Sequence, residues 1–193
     1  YACSTLNRQI KLSKTLCVRI CILKQAFLFC PCFRRPDFDS FADTDDDSDG
    51  VPDAVEDGGP NAGDGNDDGI ADSLQDHVAT LTTVDAAAYV TLVAPTGTTL
   101  VDCLAKGNPS IDDAPADVDF PYGFFSFTIT GVPAGGDTSL EMHLPAEANV
   151  NTYYKYGPTP TNANEHWYQF LNDGTTGAQI SQNIITLYFV DGQ

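Results

Sequence analysis

The sequence predicts a mainly β protein, an antiparallel β-sandwich preceded by helix-poor, calcium-binding acidic loops. Several short segments rich in β-branched and aromatic residues are bounded by Gly, Pro, Asn or Asp, and no long helical pattern separates them. Ahead of them lies an acidic stretch dominated by Gly, Asp, Asn and Pro, a composition that favours turns over helices and strands.

Composition divides the 193 residues into three predicted segments, 1–36, 37–76 and 77–193. Residues 1–36 hold seven of the nine Lys and Arg, five of the six Cys and no acidic residue, whereas fifteen of the 27 acidic residues lie in 37–76. The acidic excess after residue 36 would repel phosphates, which argues against nucleic acid as a partner. No uncharged run is long enough to predict a transmembrane helix with confidence, since one needs about 20 mainly apolar residues.

Residues 1–36 form a basic, Cys-rich segment that we interpret as non-native or disordered. Basic residues interrupt its apolar runs too often for an ordinary signal peptide. A degraded targeting segment and a basic helix touching a membrane are the alternatives. Cys30 and Cys32 lack a second pair at zinc-ligand spacing, so they predict no zinc site.

The first acidic loop, residues 45–56, has oxygen-bearing side chains at positions 1, 3, 5, 9 and 12 and a Gly at position 6. Alternate side chains can converge on one ion while the Gly permits a sharp turn, which is the pattern that Ca²⁺ requires. The predicted ligands are Asp45, Asp47, Asp49, the Val51 carbonyl, Asp53 and Glu56.

The second loop, residues 64–75, repeats this spacing at an offset of 19 residues. Its predicted ligands are Asp64, Asn66, Asp68, the Ile70 carbonyl, Asp72 and Gln75. Because Gln75 replaces an acid at position 12, we expect the first loop to bind calcium more tightly. A flexible acidic linker without a specific ligand is the competing interpretation, but the repeated phase and the repeated Gly make it the weaker one.

The flanking residues argue against an EF-hand, which needs a helix on both sides of its loop. Gly58, Gly59 and Pro60 would stop a helix leaving the first loop. A dockerin-like pair would need an amphipathic helix after each loop, and only Ser73 to Ala79 is a candidate for one.

The β-rich segment contains seven predicted strands, and a short helix or bridging turn is expected at His77 to Ala88. Alternation places Phe125, Phe127 and Ile129 on one strand face, with the intervening polar residues on the other. The predicted strands are Tyr89–Val93, Thr98–Leu104, Gly123–Thr130, Thr138–Leu144, Thr152–Tyr156, His166–Leu171 and Asn183–Val190.

Tandem acidic loops without helices resemble thrombospondin type 3 repeats. The motifs that follow, including the run Tyr153-Tyr154-Lys155-Tyr156-Gly157-Pro158 and His166-Trp167-Tyr168, resemble a bacterial choice-of-anchor U domain over roughly residues 43–193. The resemblance implies a secreted or surface-attached protein with a C-terminal sorting signal. No sorting tail follows Gln193, so we expect the β-sandwich domain to be truncated at its C-terminus.

No nucleophile elbow, zinc-protease motif or phosphate loop occurs, so we expect no enzyme. The sequence therefore predicts a calcium-binding spacer and β-sandwich module of a bacterial secreted or cell-surface protein. One alternative is an adhesin domain whose aromatic-rich half binds surface glycans or other surface proteins. A second is an accessory module of an extracellular hydrolase.

Overall fold

The computed structural model of the chain describes residues 44–192, and the predictions for residues 1–36 lie outside them. This part of the protein is mainly β, with antiparallel strand pairs and a few short helical turns, as predicted. None of its helices is long and apolar enough to cross a membrane.

Nine strands follow the acidic loops. They are β1 (Val78–Thr82), β2 (Tyr89–Val93), β3 (Thr99–Lys106), β4 (Phe124–Thr130), β5 (Asp137–His143), β6 (Tyr154–Thr159), β7 (Asn162–Gln169), β8 (Gly177–Ser181) and β9 (Ile184–Val190). Five of them form one antiparallel sheet in the order β1-β2-β5-β9-β8, while β3-β4 and β6-β7 form two hairpins. The helical turns are α1 (Asp53–Glu56), α2 (Pro60–Gly63) and a 3₁₀ turn at Asp72–Leu74.

The hydrophobic core lies between the five-stranded sheet and the β3-β4 hairpin, which form two layers. Leu92, Leu140 and Leu187 from the sheet and Leu100 from β3 are almost completely buried. The predicted face of β4 packs against this core through Phe125, Phe127 and Ile129. Burying such side chains contributes about 1.5–3 kcal/mol each, so this contact between the layers stabilises the fold.

The predicted helix or turn at His77 to Ala88, and the candidate helix at Ser73 to Ala79, are wrong. Strand β1 occupies Val78–Thr82 instead and pairs with β2 over its whole length, with Thr80 opposite Thr91. Both faces of β1 are covered, so the strand lacks the polar-apolar alternation that reveals a half-exposed strand. Strand β8 was also missed, because its Gly-Ala-Gln-Ile-Ser sequence has little strand propensity.

The acidic loops pack on the edge and outer face of β1. Ala79 and Leu81 point into the apolar core, whereas Thr80 and its partner Thr91 are buried on the opposite face. A Cβ atom added to Gly65 of the second loop would lie 2.1 Å from the Thr91 Oγ1 atom. The loops and the sheet are therefore in direct contact.

Candidate metal centre

The side chains of Asp45, Asp47 and Asp49 converge at the first acidic loop. One carboxylate oxygen from each lies within 4.8 Å of the corresponding oxygens of the other two. In the part of the chain that the structure describes, this is the one set of three or more Asp, Glu, His or Cys side chains that comes so close together. The sequence-predicted ligands at positions 1, 3 and 5 are thus brought together.

A tight turn produces this convergence. Gly50 adopts φ 98°, a conformation that favours glycine, and its N–H donates to Asp45 Oδ2 at 3.1 Å. The Val51 N–H donates to Asp49 Oδ1 at 2.7 Å, and the Val51 side chain is anchored in the core. At position 9, Asp53 Oδ1 accepts a hydrogen bond from the Asp46 N–H at 2.9 Å, which ties the start of the loop to its end.

Glu56, at position 12, joins the loop to the sheet. It lies at the end of α1, and its side chain has no exposed surface. Its Oε1 atom accepts a hydrogen bond from the Thr80 N–H at 3.0 Å. Because β1 is an edge strand, the Thr80 N–H has no partner in β2 and donates to Glu56 instead.

Several buried oxygen atoms around this turn have no hydrogen-bond donor among the described residues. They are Asp45 Oδ1, Asp47 Oδ2, Asp49 Oδ2 and Glu56 Oε2, with Asp72 Oδ1 of the second loop. A buried carboxylate oxygen without a partner is costly, and a buried charge costs more. Asp49, Glu56 and Asp72 are all 0% exposed, so water does not solvate these side chains from the protein surface. A bound cation would satisfy such oxygens.

The pKa values of these carboxyls also show the cost of burying several negative charges close together. Burial, aided by the negative charges of neighbouring carboxylates, raises the pKa of Asp49 to about 7 and that of Asp47 to about 6. Burial, together with the charges of Asp49, Asp47 and Asp72, likewise raises the pKa of Glu56 to about 9. Without a cation, the folded cluster therefore retains protons at neutral pH.

The second loop repeats the backbone geometry of the first at the same offset of 19 residues. Gly69 adopts φ 90°, and its N–H donates to Asp64 Oδ2 at 2.9 Å, as Gly50 does to Asp45. The Ile70 N–H donates to Asp68 Oδ1 at 2.9 Å, as Val51 does to Asp49. The Gly65 N–H donates to Asp72 Oδ2 at 2.8 Å, as Asp46 does to Asp53. The sequence repeat is therefore also a structural repeat.

The two loops differ in the hydrogen-bond partners of their carboxylate and carbonyl oxygens. Gln75 is buried and its Nε2 atom donates to Asp68 Oδ1 at 3.4 Å and to the Ile70 carbonyl at 3.3 Å. The Asn66 Nδ2 atom donates to Asp68 Oδ2 at 3.0 Å. Amide donors thus satisfy oxygens that would otherwise face a cation, and Asn66 replaces with an amide the carboxylate that Asp47 supplies in the first loop.

Asp72 occupies a different environment from Asp53, its equivalent in the first loop. Its Oδ2 atom also accepts a hydrogen bond from Thr80 Oγ1 at 2.5 Å, and Thr80 Oγ1 lies 2.6 Å from Thr91 Oγ1. Burial raises the pKa of Asp72. Sequence patterns did not identify Thr80 and Thr91, because their role depends on β1, which was not predicted. The β-branched run at 78–83 was the signal that could have identified it.

The aromatic residues of the second half pack against one another. The Trp167 ring stacks on Phe120 with a centroid distance of 5.3 Å and contacts Phe124 and Tyr156 edge-on or tilted. Its indole N–H donates to the Ser110 carbonyl at 3.0 Å. Trp167 therefore has packing partners and a hydrogen-bond acceptor within the protein.

Cys103 is a buried side chain beside the acidic turn. Its N–H donates to the Asp49 carbonyl at 2.9 Å, and burial, reinforced by the charge of Asp49, raises the pKa of its thiol. The thiol therefore remains protonated, which makes it a poor metal ligand and a poor nucleophile.

A scan of the chain against protein-family models gives no match, and comparisons with curated proteins and with solved structures give none either.

Proposed function

We propose that this chain is a non-enzymatic calcium-binding module of a bacterial secreted or cell-surface protein. In this proposal the acidic loops act as an ion-stiffened spacer that leads into the β-domain. The observation that carries it is the convergence of Asp45, Asp47 and Asp49 beside the buried Glu56, with an unsatisfied oxygen on each of the four side chains. The bacterial, extracellular setting is what the resemblance of the motifs implies.

A divalent cation explains this arrangement better than protonation. Protons would neutralise the carboxyls but leave several of their oxygens without partners, because each added proton can donate only one hydrogen bond. A cation bound among them would neutralise more than one carboxylate and contact several oxygens at once. Binding would then offset the electrostatic repulsion within the folded cluster.

The ligand chemistry favours Ca²⁺ over other common cations. Asp and Glu side chains supply only hard oxygen ligands, which suit Ca²⁺ and Mg²⁺ rather than zinc or copper. Calcium accepts six to eight oxygens in flexible geometry, whereas magnesium demands a compact octahedron and usually keeps several waters. Four protein carboxylates and a backbone carbonyl around one turn fit calcium better.

The contact between Glu56 and Thr80 indicates how binding would affect the β-domain. Glu56 contributes to the acidic cluster through one oxygen and to the sheet edge through the other. Asp72 makes a similar link from the second loop, through Thr80. Calcium binding would thus order the loops and hold them against β1 at the same time.

Calorimetric titration of the chelator-treated chain with CaCl₂ and with MgCl₂ tests the proposal. We expect a Kd for calcium of about 10⁻⁴ M or lower at the first loop, within or below the range of extracellular sites, and weaker magnesium binding. Asp49→Asn should weaken calcium binding at least tenfold. The matched variant Asp68→Asn, at the same position of the second loop, should leave the tighter site largely unchanged.

Two results would overturn the proposal. One is the absence of calcium-dependent heat together with a melting temperature that is the same in calcium and in chelator. The other is an equal loss of affinity in Asp49→Asn and Asp68→Asn, because the structure predicts unequal sites.

A further inference from the structure

A cavity of about 180 Å³ lies among β4, β5, β6 and β9, and no residue of the acidic loops lines it. Its walls are mainly apolar and aromatic, with Phe120, Tyr122, Phe125, Phe127, Tyr153 and Phe189 among them. An apolar cavity of about 150 Å³ can hold benzene. This one is therefore large enough for a single ring with a short side chain.

Both lysines of residues 37–193 line this cavity. Lys106 and Lys155 are the only Lys or Arg residues after residue 36, in a segment that contains all 27 acidic residues. Within residues 44–192, the ion pairs involve His77 and His143, and neither lysine has a carboxylate within 4.0 Å. Asp119 also lines the cavity without pairing with either of them. Two unpaired cations thus lie at one apolar cavity of a strongly acidic chain.

Lys155 is surrounded by aromatic rings. Its Nζ atom lies 4.3 Å from the ring centroid of Phe170, 5.3 Å from that of Phe189 and 5.9 Å from that of Tyr168. Such contacts offset part of the cost of removing an ammonium from water, but they supply no hydrogen-bond acceptor. Burial lowers the pKa of Lys155. An anion beside the ammonium would provide the acceptor that these rings lack.

We propose that this cavity binds a small organic acid whose apolar body is about the size of one aromatic ring and whose carboxylate is held by Lys155, with Lys106 on the cavity wall adding to the preference for a negative charge. The aromatic walls would enclose the body and the lysines would select for the negative charge. A pocket with mainly apolar walls and a few polar groups is the usual form of a small-molecule site. A glycan suits the cavity poorly, because its many hydroxyl groups would need more hydrogen-bond partners than these walls present.

The test uses 3-phenylpropionate as the probe and its neutral counterpart, 3-phenylpropanamide, as the control ligand. Each is titrated into the full chain in the presence of calcium, and binding is followed by NMR shifts of cavity residues. We expect saturable binding of the acid with a Kd of about 1 mM or lower, which is attainable for a ligand of this size. The amide should bind at least tenfold more weakly.

Lys155→Met removes the charge while keeping an unbranched side chain of similar length. In this variant the affinity for the acid should fall to that for the amide, whereas the affinity for the amide should stay the same. Lys106→Met provides the same comparison at the second lysine, so the test does not depend on one variant folding. Glu147→Gln, at an exposed residue that does not line the cavity, should leave acid binding unchanged.

Absence of saturable binding at 10-fold above the expected Kd would overturn the proposal. Equal affinities for the acid and the amide in the unaltered chain would do the same, as would an acid preference that survives in both lysine variants.

Discussion

The Thr80 N–H of edge strand β1 donates to Glu56 Oε1 at 3.0 Å, so one acidic side chain serves both the sheet edge and the acidic cluster. The other oxygen, Glu56 Oε2, is buried and has no donor among the described residues. Removing the charge of Glu56 should therefore affect calcium binding and cation-free stability in opposite directions.

Glu56→Gln should stabilise the calcium-free protein and weaken its calcium binding. The Gln oxygen can still accept from Thr80, while the amide is neutral without having to take up a proton and adds a donor for the neighbouring carboxylates. We expect the melting temperature in chelator to rise by several degrees, corresponding to about 1 kcal/mol, and calcium affinity to fall at least tenfold. Thermal melts with and without chelator, combined with calorimetry, measure both effects.

Gln75→Glu makes the reverse exchange at the same position of the second loop and is the matched control. It should lower the melting temperature in chelator and increase calcium affinity at that loop, because a carboxylate replaces an amide that now donates to Asp68 and Ile70. Changes of the same sign in chelator for the two variants would contradict the assignment.

The stability of the calcium-free protein should decrease as pH rises from about 5 to 9. Asp49 and Glu56 have ordinary pKa values of 3.8 and 4.5, which the folded state raises to about 7 and about 9. Between these values the folded chain binds more protons than the unfolded chain, so the free energy of unfolding falls with increasing pH. Urea denaturation in excess chelator at several pH values measures this slope.

With calcium bound, the free energy of unfolding should increase with pH instead of decreasing. The ion competes with the same protons, so its affinity should increase with pH until the carboxyls are ionised. Asp49→Asn provides the control, because it should flatten the part of the calcium-free profile below about pH 7. A calcium-free stability that rises over this interval would show that the carboxyls are not buried together.

Gly65→Ala should destabilise the protein markedly in calcium and in chelator. The added Cβ would lie 2.1 Å from Thr91 Oγ1, 2.7 Å from Thr80 Oγ1 and 2.9 Å from Asp72 Oδ2, so the second loop would have to move off the sheet. We expect a loss of about 2–3 kcal/mol in the free energy of unfolding, typical of severe overpacking.

Gly69→Ala is the control for this substitution. Gly69 has φ 90° and nothing within 4 Å of its Cβ position, so the variant should lose only about 1 kcal/mol from backbone strain. Chemical denaturation compares the two variants directly. Similar losses would mean that the loop does not pack against Thr91 as described.

Sequence patterns located several strands well, including β2, which is covered on both faces. Strand β2 occupies the predicted range, and β4, β5 and β9 begin and end within a residue of theirs. The hairpin β6-β7 is shifted from Thr152–Tyr156 and His166–Leu171, because Pro158 and Pro160 near its turn and the polar start of β7 obscure the boundaries. Strand β1 is also covered on both faces, and it was missed because Ala79 interrupts its β-branched run, whereas β2 contains Tyr, two Val and Thr.

The sequence alone determined the local geometry of the two acidic loops. Their turns depend on hydrogen bonds between residues no more than seven positions apart, such as Gly50 to Asp45 and Gly69 to Asp64, and these require only the right residue at the right spacing. Local spacing could also predict which loop carries more charge. Calcium binding itself stays a prediction from both the motif and the geometry.

Only the tertiary structure decided that Asp49 and Glu56 are buried, and that Lys106 and Lys155 line one cavity. Burial of Glu56 depends on Thr80, which is 24 residues away, and the cavity brings together strands separated by many tens of residues. The free energy of a charged side chain depends on the solvent and charges around it, so its chemistry cannot be read from its neighbours in the chain.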